Sequence, residues 1–377
     1  MKGIYIHIPF CKHLCAYCDF YSTMSLRDKS DMLQALLREM EAMRHFFPAS
    51  AGAQATLYFG GGTPSLYAAG ELALLIEKAR DVFAVDNFTE LTLEANPDDL
   101  TAAYLDALLA IGVNRLSIGI QSFDDAHLQW MQRRHTAAQA AGSVRLAKQA
   151  GFRNITIDLI YGFPALTADA WQRTLERALA LDVPHISAYH LTIEPRTVFG
   201  KQAERGLLQP IDDGESERQF LTLHHALTQA GYSHYEISNF ALPGREAQHN
   251  SAYWRQQPYV GIGPSAHSFD GVQRRWNGAN NRQYIEAMAH GEPFFESETL
   301  TADMRYNEYI LTGLRTARGV VPDDIRQQFG AYYYHYFQQH AAAFLQSGRL
   351  IRAGSSVRIP PLHFLTADAV TVELLNC

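Results

Sequence analysis

Six apolar runs rich in β-branched residues, each followed by an amphipathic stretch, fill the first half of the chain. The strand-like runs are 3–8, 55–59, 90–94, 114–119, 154–160 and 185–191. Apolar residues recur at helical spacing in 31–47, 71–83, 101–111, 136–150 and 168–180; in the first of these, Leu33, Leu36, Leu37 and Met40 share one face. Gly112 and Gly151 stand just past two helix ends, where a left-handed residue closes the last turn. Strands joined through helices pair in parallel with right-handed crossovers. The expected class is therefore α/β. Periodicity leaves open whether the sheet closes as an incomplete barrel or winds as an open sheet. Both put functional groups at the carboxyl ends of the strands.

Those ends carry unusual residues. A loop with Cys11, Cys15 and Cys18 follows the first run, and Gly60-Gly61-Gly62-Thr63-Pro64 follows the second. Glu94 closes the third, Gln121 follows the fourth, and Asp158 lies near the end of the fifth, before Gly162-Phe163-Pro164. Taken singly, the glycines suit turns and the carboxylates suit solvated rims. Their common placement calls for one shared site. The glycine run lacks the lysine and spacing of a nucleotide phosphate loop.

Three thiolates spaced CxxxCxxC can hold three irons of a 4Fe–4S cube and leave the fourth iron to an outside ligand, since cubane clusters usually take four. The rival is a zinc site completed by His7 or His13. Zinc ligands come as two short-spaced pairs, and the remaining cysteine, Cys377, is at the far end of the sequence. The spacing resembles the radical S-adenosylmethionine (SAM) superfamily, in which SAM chelates the open iron. Such a ligand needs close backbone approach to its amino group, which Gly61, Gly62 and Thr63 allow. Glu94 suits its ribose, Arg133 or Arg134 its carboxylate, and Tyr17 its adenine.

Five runs narrow the resemblance: YIHIPFC at 5–11, FGGGTPS at 59–65, EANP at 94–97, SIGIQSF at 117–123 and DLIYGFP at 158–164. Together they resemble the HemN and HemW branch of radical SAM proteins, the oxygen-independent coproporphyrinogen III oxidase-like family. The resemblance implies a partial (β/α)6 barrel with one three-cysteine 4Fe–4S cluster per chain. It places SAM on Tyr5, Tyr17, Gly61, Gly62, Thr63, Glu94, Gln121, Arg133 and Asp158, with Arg133 preferred over Arg134 by its distance from Gln121.

Within the branch, HemN-type dehydrogenases carry a further cysteine where this chain has Phe20, and an extension before the first strand. Both differences argue against porphyrinogen decarboxylation. The run His249-Asn250-Ser251-Ala252-Tyr253-Trp254 matches HNxxYW, the pattern associated with haem binding on the HemW side. An imidazole is a common haem-iron ligand, Tyr253 and Trp254 offer faces to a porphyrin, and Asn250 is placed to orient the histidine. His267 is a weaker candidate. The expectation is a haem chaperone: cluster, SAM and haem bound on one chain, haem as cargo for a haem-accepting protein, and an electron donor for the cluster. The alternative is a SAM-dependent coproporphyrinogen dehydrogenase.

The expected domains are a barrel at 1–240, a connecting region with the HNxxYW run at 241–300, and a smaller, mainly α, winged-helix-like module at 301–377. In that module, helices are expected at 304–316, 322–329 and 331–346 and short strands at 350–352 and 357–359. A winged-helix shape invites a nucleic-acid role, but 301–377 holds seven arginines, no lysine and six acidic residues, and the whole chain is at −7. That balance gives no phosphate footprint, and no nucleic-acid partner is expected. No signal peptide or membrane span is read, and free thiols suit a reducing compartment; the expected location is cytoplasmic. Peripheral membrane contact and a homodimer stay open.

Overall fold

The computed structural model describes residues 1–48 and 54–376; Cys377 lies outside the described residues. Strand and helix alternate as the patterning requires. The order is β1 (Lys2–Ile8), α1 (Lys29–Ala42), β2 (Gln54–Gly61), α2 (Ala69–Phe83), β3 (Asn87–Ala95), α3 (Ala102–Ala110) and β4 (Arg115–Gln121). Next come α4 (Asp125–Trp130), α5 (Ala137–Ala150), β5 (Asn154–Tyr161), α6 (Ala168–Ala180) and β6 (His185–His190). Strands β1 to β6 pair in parallel in chain order. Tyr5 of β1 and Tyr189 at the end of β6 line one cavity, so the sheet curls into a partial barrel.

The alternation of each strand separates two environments. Ile4, Ile6 and Ile8 of β1, with Leu91 and Leu93 of β3 and Leu116 and Ile118 of β4, are fully buried in the apolar core with helix residues such as Leu36 and Leu75. Each such side chain contributes roughly 1.5–3 kcal/mol of burial. The opposite face is polar. Inside the barrel, Arg115 donates to Asn154 Oδ1 and Thr156 Oγ1, and Ser117 donates to Asp158.

After β6 come α7 (Val198–Glu204), α8 (Asp213–Gln229), β7 (Ser233–Glu236), β8 (Asn239–Ala241) and α9 (Gln248–Trp254). Then follow β9 (Tyr259–Ile262), β10 (His267–Phe269), β11 (Gln273–Asn277), α10 (Asn281–His290) and β12 (Phe295–Thr299). The region expected as a connector supplies four of these strands to the barrel's own sheet. Strand β9 runs parallel beside β1, and β10 to β12 continue antiparallel. Strands β8 and β7 add antiparallel at the β6 edge. Residues 301–376 form α11 (Ala302–Leu314), α12 (Pro322–Phe329), α13 (Ala331–Gln346), the hairpin β13 (Ile351–Ala353) and β14 (Ser356–Arg358), and α14 (Ala367–Val372). This helical module with one hairpin docks through Ile237 N–H to Arg315 O (2.9 Å) and Ala317 N–H to Tyr235 O (2.9 Å). Of the aromatic run at 332–337, Phe337 is buried, Tyr333 and Tyr336 pack on Tyr306, and Tyr332 is exposed.

Glu39 of α1 fastens the β9–β12 extension. Buried, it accepts from Gly263 N–H (2.7 Å), Asn277 Nδ2 (2.6 Å) and Tyr284 O–H (2.6 Å), while burial pushes its carboxyl upward. Removing the acceptor strands three buried donors, each costing about 1–3 kcal/mol. Glu39→Ala is therefore expected to lower the urea midpoint by the equivalent of at least about 3 kcal/mol. An unchanged midpoint would show that water replaces the carboxylate without cost.

Candidate functional site

The cysteine loop connects β1 to α1 and is stitched to its surroundings by backbone bonds. Cys11 N–H reaches Thr23 O (2.9 Å), Thr23 N–H reaches Pro9 O (2.9 Å), and Ala16 N–H reaches Met131 O (3.1 Å). The glycine turn lies directly beneath, with Gly62 N–H on Ile8 O (2.8 Å) and Thr63 N–H on Phe10 O (2.7 Å). A Cβ on Gly61, whose φ is +106°, would lie 2.6 Å from the His7 ring, and one on Gly62 would lie 2.6 Å from Phe10 O. The contact between this turn and the cysteine loop thus already requires glycine here, before any ligand is considered. His7, the alternative zinc ligand, has both ring nitrogens engaged, by Tyr5 O–H and by Tyr21 O.

A cavity of about 580 Å³ opens beside this loop. All nine residues assigned to SAM from the sequence line it: Tyr5, Tyr17, Gly61, Gly62, Thr63, Glu94, Gln121, Arg133 and Asp158. Cys18 lines it too, and the other two thiols are tied to lining residues. Thr63 O–H points to Cys11 Sγ (3.4 Å), and Arg133 Nη1 points to Cys15 Sγ (3.3 Å). Arg133 also donates to Asn96 Oδ1 (2.6 Å) and Gly119 O (2.7 Å), whereas Arg134 turns away to Asp98. Gln121 takes a left-handed φ of +67° where β4 slips register against β5, and this bulge re-aims the strand end at the cavity.

Two carboxyl groups face this space. Glu94 accepts from Tyr58 O–H (2.7 Å); burial chiefly, with Asp158 adding, pushes it up to about 7. Burial pushes Asp158 up to about 6 against hydrogen bonds from Ser187 and Ser117. Burial also raises the Cys11 thiol and takes Cys18 up to about 11. Ionising these thiols therefore calls for a bound cation. Tyr58 escaped notice in the sequence, and Asn96 and Ser117, although they stand in the runs at 94–97 and 117–123, were given no role there. Phe20, at the family's extra-cysteine position, is 73% exposed at the cavity mouth.

The HNxxYW residues are arranged differently from the expectation. Helix α9 plugs the base of the barrel, its first N–H groups donating to Glu90 from Gln248 and His249 (both 2.9 Å). His249 is 1% exposed and stacks on Tyr58. Its Nδ1 meets Thr56 Oγ1 (2.8 Å) and its Nε2 meets Tyr253 O–H (2.7 Å), while burial lowers it to about 3. Both nitrogens are spoken for, and the orienting partners are Thr56 and Tyr253 rather than Asn250. Asn250 is half-buried, and Trp254 lines a second cleft below the barrel. His267, on β10, stacks on Trp276.

Comparison with known proteins gives this architecture its place. The Radical SAM superfamily pattern matches residues 5–178. "Heme chaperone HemW" of Lactococcus lactis is 36% identical over 87% of this chain and 85% of its own. The Mycobacterium tuberculosis protein of the same name is 34% identical over 99% of this chain and 95% of its own. The chain belongs to the HemW family. In fold it matches the Escherichia coli radical SAM enzyme coproporphyrinogen III oxidase, HemN, with a TM-score of 0.83 over 100% of this chain and 90% of that one, at 23% identity.

Radical SAM membership implies a 4Fe–4S cluster and SAM, and the donors of this HemW chain fit both. Among the described residues, no three Cys, His, Asp or Glu side chains close on one point as a single metal ion requires. A cubane spreads its ligands over separate irons, which suits three thiols on a wide loop. Arg133 is half-buried, and its Nε is buried without a hydrogen-bond partner. A cation with a buried, unpartnered nitrogen suits an anionic ligand beside it.

If SAM occupies this cavity as the resemblance implies, ionised Glu94 would accept from two ribose hydroxyls, whereas its protonated form would lose an acceptor. SAM affinity is therefore expected to fall as pH drops from one unit above to one unit below about 7, with Asp158 contributing at the acid end. Calorimetry with Glu94→Gln should give weaker binding and most of the slope removed. An unaltered slope would assign the titration to another group.

Proposed function

We propose that this protein is a haem chaperone, which holds haem and passes it to a haem-dependent acceptor. The observation that carries the reading is the similarity to HemW proteins across essentially the whole chain, C-terminal module included. Phe20 at the extra-cysteine position is in keeping with it. Likeness to HemN at 23% identity concerns fold alone. Among the described residues no helix is long and apolar enough to cross a membrane.

In this reading Cys11, Cys15 and Cys18 would hold the cluster, and the Gly61–Thr63 turn would seat SAM beside it. When bound, the pair supplies one-electron reductive chemistry, fed by an external electron donor. The chain's own residues bind and orient. Arg133 balances charge beside the thiols and meets the SAM carboxylate. Glu94, held by Tyr58, takes the ribose. Tyr17 flanks the adenine.

Two measurements test this. Anaerobically reconstituted protein is expected to hold about four irons per chain, and Ala at any one of Cys11, Cys15 or Cys18 should remove most of them. Full retention in all three variants would reject the ligand set. Titration with haem, followed by the Soret band, should show saturable binding, while an anaerobic assay with SAM and a reductant leaves coproporphyrinogen unchanged. Efficient decarboxylation without haem binding would make the protein a dehydrogenase instead.

A further inference from the structure

The barrel has a cavity at each end. The upper one is the SAM site. The lower, of about 660 Å³, lies between α9 and helices α11 and α12 of the C-terminal module. Its volume suits an organic ligand, and the SAM chemistry above makes no use of it. Trp254, the last residue of the HNxxYW helix, forms one wall, with Phe269, Tyr309 and Phe329 as further aromatic lining.

Three cations, Arg255, Arg305 and Arg318, line the same cleft. Among the described residues none of them has a carboxylate within ion-pairing distance. Glu308, on the same helix as Arg305, is taken by Arg274. Arg305 Nε is buried with no hydrogen-bond partner. Glu246 and Asp324 also border the cleft, so guanidinium groups outnumber the unengaged acids. Unpaired guanidinium groups beside aromatic walls suit a flat, dianionic ligand, because each carboxylate can take two parallel N–H bonds.

The lining has no histidine, cysteine or methionine. Its two phenols are engaged: Tyr235 O–H with His185 Nε2 (2.8 Å) and Tyr309 O–H with Val321 N–H (3.1 Å). His249 is sealed inside the barrel. The cleft therefore offers contacts for a ring and its acid groups and no free strong ligand for a metal at the ring's centre.

We propose that this cleft is a tetrapyrrole site that reads the planar ring and its two propionates and does not ligate the central metal. The inference rests on the haem-chaperone reading and gives its cargo a place. It also explains release. With no protein–iron bond to break, an acceptor's own axial ligand captures the haem.

The test uses full-length protein titrated with haem, with iron-free protoporphyrin IX and with its dimethyl ester, followed by tryptophan quenching and absorbance. Haem and the iron-free ring should bind with similar affinity, and the ester about tenfold or more weaker, as loss of charge-assisted bonds requires. Arg305→Ala and Trp254→Ala should weaken both free acids by about tenfold. Arg305→Lys should recover part of the loss, and SAM affinity should stay unchanged as the check on folding. Trp254→Phe, which keeps an aromatic wall, replaces the alanine variant if that fails to fold. Binding of haem alone would show a metal-ligated site, and binding of both rings undiminished in the variants would place the site elsewhere. Either result overturns the inference and leaves the chaperone reading intact. Binding of neither ring overturns both.

Discussion

A parallel barrel turns one face of every strand inward, and in this chain that face is polar. Buried polar groups must be partnered, and meeting that demand organises the molecule. Arg115 spans to Asn154 and Thr156, Ser117 meets Asp158, and Tyr58 meets Glu94. At the base, Glu90 of β3 is paired with Arg115 of β4 at 4.0 Å and keeps acceptor capacity towards the space below the sheet. It is satisfied by the first N–H groups of α9, which draws that helix under the barrel. The helix brings His249 against Tyr58, so the base of the barrel and the Glu94 carboxylate belong to one packed column.

The column joins two ends with different chemistry. Above, the Cys18 thiol, the Arg133 guanidinium and two carboxyl groups line one cavity, with Cys11 and Cys15 bonded to its lining. Below, Trp254 and unpaired arginines face another. The C-terminal module is held by main-chain bonds to β7 and the turn after it and forms one wall of the lower cavity.

Much of this was legible in the sequence. The runs at 3–8 and 154–160 announced β1 and β5 because buried parallel strands are built from β-branched residues. Of the nine cavity residues, the glycine turn, Glu94, Gln121 and Asp158 were legible because strand ends concentrate function, whereas Tyr5 and the choice of Arg133 came with the family resemblance. Strands β9 to β12 were not. They are three to five residues long, and β12 (Phe-Glu-Ser-Glu-Thr) is largely exposed and has no apolar face to declare it. Tyr58 and Ser117 were hidden because an inward polar residue carries no mark of its partner across the barrel. His249 shows the limit most sharply. A histidine beside a tyrosine and a tryptophan reads as a ligand, and only the third dimension reveals Thr56 and Tyr253 already on its nitrogens.

The claim that His249 supports the SAM site from within the barrel is open to one direct measurement. Haem-loaded wild-type protein and His249→Ala are compared by low-temperature EPR of the ferric iron, alongside SAM affinity by calorimetry. The account predicts an unchanged iron signal and weaker SAM binding, because Tyr58 loses the ring that backs it beneath Glu94. Loss of a nitrogen-ligand signature in the variant, with SAM affinity intact, would contradict it and make His249 the haem ligand.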